Sequence, residues 1–179
     1  MSMMKMFAAI PLALLAAQPA GAQTSALKGH NSNAPVDVAA DRIEVQDRAD
    51  RAVFSGNVVA RQAELTLAAP RLTVAYSSGG GIEIERIDAS GGVTVRSPSE
   101  TATGQYAIYD IDSRLITMVG GVRLTRGDSI VNGGRLVIDL DTGRAVLDGS
   151  AAGAAPGTAS EGGRVTGRFT VPQRGNNAQ

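Results

Sequence analysis

The 179-residue chain has no cysteine and no tryptophan, one histidine, and only three Phe and three Tyr. Lacking cysteine, it has neither thiol chemistry nor a thiolate metal site. No disulfide braces the fold, but a chain of this length can bury an adequate core unaided. The one histidine, His30, stands in a polar segment, so a His-dependent triad or a His-metal cluster has nothing to draw on. Net charge is zero, 17 basic against 17 acidic residues, and no global field directs the chain to nucleic acid or an anionic membrane. Aromatics able to stack on bases are too few for polynucleotide binding, so no nucleic acid partner is expected. No stretch keeps a 3.6-residue apolar period, and no phosphate-binding glycine motif leads into a helix. The expected catalytic residues, metal ligands and cofactors are therefore none. Acid pairs do occur at Glu83/Glu85, Asp110/Asp112 and Asp139/Asp141, each on one face of a strand. The polar face of any amphipathic strand looks the same. Arg126-Gly127-Asp128 reads as a hairpin turn.

Long hydrophobic runs are scarce too. The one candidate, Met6–Ala17, has twelve residues including Pro11, too few to span a bilayer. With Lys5 before it and Ala20-Gly21-Ala22 after it, residues 1–22 read as a cleaved signal peptide, which places the mature chain in an exported compartment. Residues 23–34 are a polar, flexible lead-in and 35–149 a single domain. Residues 150–163 read as a Gly/Ala-rich linker, 164–172 as a possible terminal strand and 173–179 as a disordered tail.

What the domain does have is strand text: short Val, Ile, Leu and Thr alternations punctuated by Gly, Asp, Ser and Asn. The text repeats. Gly56, Gly91, Gly120 and Gly149 are 35, 29 and 29 residues apart, and Val58, Val93 and Val122 follow the first three at the same offset. Such periods mark units that bury their faces only against neighbours. Each unit reads as two or three short strands joined by polar corners, with the glycines at bulges or bends.

Period-2 alternation gathers the apolar residues on one face. It carries Val36, Val38, Ile43, Val45, Phe54, Val58, Leu65, Leu67 and Val74 in the first half. Val93, Val95, Tyr109, Ile111, Met118, Val122, Leu124 and Ile138 continue it, with Leu72, Leu136 and Leu147 on the same side. These residues could simply fill the core of a β-sandwich or β-roll. They could equally line an open groove, since slim side chains leave room for acyl chains, at about 0.8 kcal/mol per methylene buried. Composition does not separate the two.

Residues 40–74, ADRIEVQDRADRAVFSGNVVARQAELTLAAPRLTV, resemble the opening of the OstA-like domain, with its A-D-x-[LIV], A-x-F-x-G-N-V and A-x-x-[LIV] words in order. Residues 109–149, YDIDSRLITMVGGVRLTRGDSIVNGGRLVIDLDTGRAVLDG, are similar to the second half of that domain, with Ile138 where a second Tyr-Asp would stand. RVTGRFTVPQ at 164–173 resembles the tail strand of the family's bridge component. The stretch 81–104 follows the pattern loosely and leaves two facings open, with either Tyr109/Ile111 or Tyr106/Ile108 inward. This family comprises periplasmic lipopolysaccharide transport proteins. The resemblance implies an all-β fold, a half-open twisted β-jellyroll of short antiparallel strands, taco-like, around an apolar interior groove. It implies a non-enzymatic carrier that holds lipopolysaccharide by its lipid A acyl chains in that groove and bridges the two membranes through the periplasm. The seventeen face residues from Val36 to Ile138 named first above would line the groove. Implied partners are an LptC-like inner-membrane protein, an LptD-like outer-membrane protein, and further copies of the chain joined head to tail by edge-strand addition. Two alternatives stay open: an LptC-like inner-membrane-associated transfer subunit, and a structural β-solenoid polymer without lipid cargo.

Overall fold

Alternating β-branched and polar residues fold here, as they should, into strands. The computed structural model describes residues 30–79, 81–149 and 164–169, and within them ten strands make one antiparallel sheet. Residues 1–29, 150–163 and 170–179, and with them the expected signal, linker and tail, lie outside the described residues. Six long strands form a continuous meander: β3 (Arg51–Gln62), β4 (Leu65–Ser77), β5 (Glu83–Arg96), β6 (Glu100–Asp110), β7 (Leu115–Arg126) and β8 (Ser129–Asp139). At one edge, β1 (Asp37–Ala39) and β2 (Arg42–Gln46) lie one after the other along β3. At the other, β10 (Thr166–Arg168) and β9 (Arg144–Asp148) share β8 in the same way.

Each long strand breaks register near its middle. Gly56-Asn57 on β3 stand opposite Pro70 alone, Gly91-Gly92 on β5 opposite Gln105, and Gly120-Gly121 on β7 opposite Gly134. Two residues against one is a β-bulge, which bends its strand. Here the bulges line up strand after strand into a seam, and the sheet folds along it. Both bulge residues take positive φ, +79° and +46° at Gly56 and Asn57, +88° and +63° at Gly120 and Gly121. Glycine and asparagine tolerate that conformation best. A Cβ on Gly120 would also stand 2.7 Å from Gln105 Cβ. Pro70 sits where the interrupted ladder asks no N–H of it, and its ring lies over Gly91. Asp41, in the corner between β1 and β2, holds the first bulge: its N–H donates to Gly56 O at 2.9 Å and its carboxylate accepts from Asn57 Nδ2 at 2.9 Å. The separated words A-D and G-N of the family pattern thus meet as one contact.

The short strands expected from the sequence are therefore halves of longer ones, each bent over the seam. The first leaf holds β2, residues 51–55, 71–77, 83–90, 106–110, 115–119 and 135–139, and β9. The second holds β1, residues 58–62, 65–69, 93–96, 100–104, 122–126 and 129–133, and β10. Gly149 departs from the repeat. It follows β9 instead of bending a strand, so the fourth unit stops at half length.

Inward residues of both leaves form one apolar cluster in which Leu72, Ile116, Met118 and Leu136 are 0% exposed. Each such side chain contributes about 1.5–3 kcal/mol by burial. Tyr109 is inward, whereas Tyr106 and Ile108 point out at 56% and 43% exposure, which settles the facing left open in the sequence.

Candidate functional site

Every residue of the expected apolar face turns toward the space between the leaves, but not all are covered there. Val58, Leu65, Leu67, Val74, Val93, Val95, Tyr109, Met118, Val122 and Ile138 are buried. Val36, Val38, Phe54, Ile111 and Leu124 are partly buried against them. Ile43 and Val45 are inward by register, opposite Phe54 and Ala52, yet 55% and 56% exposed. No strand of the described chain lies beyond β2, and that is why they are open. Sequence reading missed Ile87, Ala89 and Ile116 as inward residues, all deeply buried. The first two belong to the stretch where the pattern is loose.

The interior changes along its length. Between Leu67, Ile87 and Tyr109 it narrows to a half-open pocket of about 20 Å³, room for one water and not for an acyl chain. At the β8 edge the leaves gape. Leu124 and Val131 of one face Ala145 and Leu147 of the other around about 340 Å³, at the small end of ligand pockets. Phe169, 58% exposed, closes part of that opening, its ring lying within 2.9 Å of where a Cβ on Gly167 would be. Arg126 reaches this opening as the inward last residue of β7 and ion-pairs with the buried carboxylate of Glu100 across the strand pair. Its neighbours Gly127 and Asp128 make the expected hairpin turn.

Two further polar side chains, Gln62 and His30, stand inside, and neither was expected there. Gln62 ends β3 on its inward face, 4% exposed. Tyr109 belongs to β6, three strands away in the sheet, so the 2.8 Å bond from its hydroxyl to Gln62 Oε1 crosses from leaf to leaf. Burial raises the pKa of that hydroxyl against smaller lowering effects of Ser32, Arg114 and Gln62. Residues 30–34, read from the sequence as part of a flexible lead-in, are ordered: His30 is buried and its Nε2 lies 3.2 Å from Gln62 Oε1.

Two of the acid pairs, Asp110/Asp112 and Asp139/Asp141, lie at turns, whereas Glu83 and Glu85 lie on β5. Asp110 accepts the side-chain hydroxyl and, at 2.8 Å, the N–H of Ser113, and those bonds hold its pKa below the ordinary 3.8. Asp139 accepts the N–H groups of Thr142 and Asp141, both at 3.0 Å, and is lowered chiefly by Thr142. Asp141 pairs with Arg114 at 2.8 Å. Asp110, Asp139 and Asp141 are thus engaged with turn N–H groups, a hydroxyl or Arg114 at the strand ends.

Residues 37–144 match the family described as LptA/(LptD N-terminal domain) LPS transport protein. An uncharacterized protein of Rhizobium meliloti (strain 1021) is 34% identical over 125 residues, 66% of this chain and 67% of the relative. The crystal structure of LptH, the LptA-homologous periplasmic component of the lipopolysaccharide transport device of Pseudomonas aeruginosa, superposes with a TM-score of 0.67 at 19% identity. It covers 79% of this chain and 99% of that one. At that identity the likeness is one of fold.

Proposed function

Because the chain belongs to the LptA/LptD N-terminal domain family of LPS transport proteins, we propose that it is a non-enzymatic periplasmic carrier whose apolar interior holds the acyl chains of lipopolysaccharide. The observation that carries this reading is one continuous apolar face, spanning both leaves, that is incompletely covered at both edges, at exposed Ile43 and Val45 on β2 and at half-covered Leu124 and Leu147 beside exposed Phe169 near β8. A chain sliding along it would exchange one shallow contact for the next, each methylene contributing about 0.8 kcal/mol. Net movement would then need an energy source elsewhere. The signal, cleaved after Ala22, would deliver the protein to the periplasm. The half-filled edges of β3 and β8 would accept strands of neighbours, among them LptC-like and LptD-like proteins and further copies of this chain.

A photo-crosslinker placed at Val36 or Leu124 is expected to capture lipopolysaccharide, and one at Glu64, exposed in the β3–β4 hairpin, is not. Equal capture at all three positions would sink the interior as the binding site. The tight middle favours a second reading, a sealed structural module that assembles without cargo. Mass spectrometry of the purified protein decides between them, because a sealed module co-purifies with no acylated lipid.

A further inference from the structure

Gln62 is out of place by chemistry. An inward position on β3 calls for an apolar side chain, and a buried amide is tolerated only when its donors and acceptor are all used. They are. Gln62 Nε2 donates to the backbone carbonyls of Ser32 and Ala34, both at 2.9 Å. Gln62 Oε1 accepts from the Tyr109 hydroxyl at 2.8 Å and has His30 Nε2 at 3.2 Å. Three of these four partners sit on residues 30–34, and the fourth, Tyr109, sits on the opposite leaf. The route of the chain explains how. β1 runs antiparallel to the end of β3, with Asp37 opposite Arg61, so the residues before it pass Gln62 at the rim of one leaf and reach Tyr109 on the other. Below the crossing lies the small cavity walled by Val36, Leu65, Leu67 and Ile87.

We propose that residues 30–34 are a displaceable strap across the mouth of the fold, clasped by Gln62, and that lipid reaches the middle of the interior only when the strap lifts. This rests on the carrier reading above. Little apolar burial holds the strap: Asn31 and Asn33 are exposed, Ser32 and Ala34 only half-buried. Segments attached mainly by polar contacts open at the low end of the local stability range. The fit is also imperfect, since His30 Nδ1 is buried without a hydrogen-bond partner. Once the strap is away, the Gln62 amide and Tyr109 hydroxyl face the groove and need new partners. Ester or amide carbonyls at the roots of acyl chains supply the acceptors that the Ser32 and Ala34 carbonyls supply in the closed form.

The test combines hydrogen exchange on the full chain with loading of a fluorescent lipopolysaccharide. Gln62→Leu keeps the size and removes the clasp, and His30→Ala loosens the strap without touching the sheet. In both, the amides of 31–34 should exchange roughly tenfold faster and loading should speed up by roughly the same factor, as expected for a loss of one to two net hydrogen bonds. In the wild type, loading should deprotect the same amides. Loading with 31–34 fully protected, or variants with a loosened strap that load at the wild-type rate, would overturn the strap. A wild type that loads nothing overturns the carrier reading instead, and the strap with it. Should Gln62→Leu fail to fold, His30→Ala decides alone.

Discussion

The middle of this folded sheet and its two ends use the same residue types to opposite effect. In the middle, Leu72, Ile87, Met118 and Leu136 meet their counterparts from the other leaf and are sealed from solvent. At the ends, Ile43, Val45, Leu124 and Leu147 have the same inward register and no complete cover. Facing is set by alternation, and cover is set by how many strands lie on either side. A lipid-binding surface can thus arise without any special residue, by ending a sheet before its apolar face is closed. A strand added by a neighbouring molecule would extend the same face, so the ends are unfinished middle.

The largest expected effect sharpens this contrast within a single cross-strand pair. Leu136 on β8 and Leu147 on β9 are direct partners, the first sealed and the second half-covered. Leu136→Ala should lower unfolding free energy by about 3 kcal/mol, since it leaves a cavity no neighbour can fill. Leu147→Ala should cost about 1 kcal/mol, because its site already borders open space. Urea titration of both variants checks this. Equal losses would mean that the β8 edge is as tightly packed as the centre.

The seam gives the next largest. Gly120 lies in β7, paired on both sides by β6 and β8, and an added Cβ would press on the backbone-anchored Cβ of Gln105 at a φ of +88°. Gly56 lies at the β3 end, and an added Cβ would press on Asp41, in an exposed corner that can give way. Gly120→Ala should cost about 2 kcal/mol, and Gly56→Ala somewhat less, the roughly 1 kcal/mol of positive φ plus the displacement of the Asp41 side chain. Thermal denaturation of the two variants, in the reverse order, would show that the corner is the stiffer part.

Much of this was legible in the sequence, and what was not has a physical reason. Of the seventeen residues that alternation put on one face, ten are buried, five are partly buried and Ile43 and Val45 are exposed, and the burial of most follows because a buried face tolerates no slip of register. The repeated glycines marked the bends correctly but suggested more, shorter strands, since a bulge and a turn both attract Gly-Gly and only pairing tells them apart. Cover was invisible: nothing local distinguishes Val45 from Val95, one exposed and one buried, because the difference lies in strands distant along the chain. Gln62 and His30 were missed for a related cause. Each looks like a solvated residue until the fold brings the two together across a separation of 32 positions.

Below these, an exposed end should tolerate a charge that the middle cannot. Val45→Asp is expected to shift stability by less than about 0.5 kcal/mol, as at other open sites. It should nonetheless weaken capture of fluorescent lipopolysaccharide, because a carboxylate then stands where acyl chains pass. The inward Val95, 3% exposed, serves as the contrast, and Val95→Asp should prevent folding. Unchanged lipid capture by a folded Val45→Asp protein would remove the β2 edge from the route.

The smallest expected effect is that of acid on the two capped turns. Asp110 closes the turn from β6 to β7 in the middle, and Asp139 the turn from β8 to β9 at the end, both with pKa values held below 3.8 by hydrogen bonds. A carboxylate whose folded pKa is depressed stabilises fully above its unfolded value, and the contribution disappears as pH falls through the folded one. Both caps therefore weaken below about pH 4, and both are exposed, so screening keeps the loss small. Their consequences should differ. Under the first turn, Ile116 and Met118 are sealed and hold β7 in place. Under the second, β9 has β8 as its one partner among the described strands and half-covered Ala145 and Leu147 as its inward residues. Hydrogen exchange between about pH 5 and pH 3, corrected for intrinsic rates, should show β9 losing protection before β7. Simultaneous loss in both strands would mean that the sheet opens as one unit and that its ends are no looser than its centre.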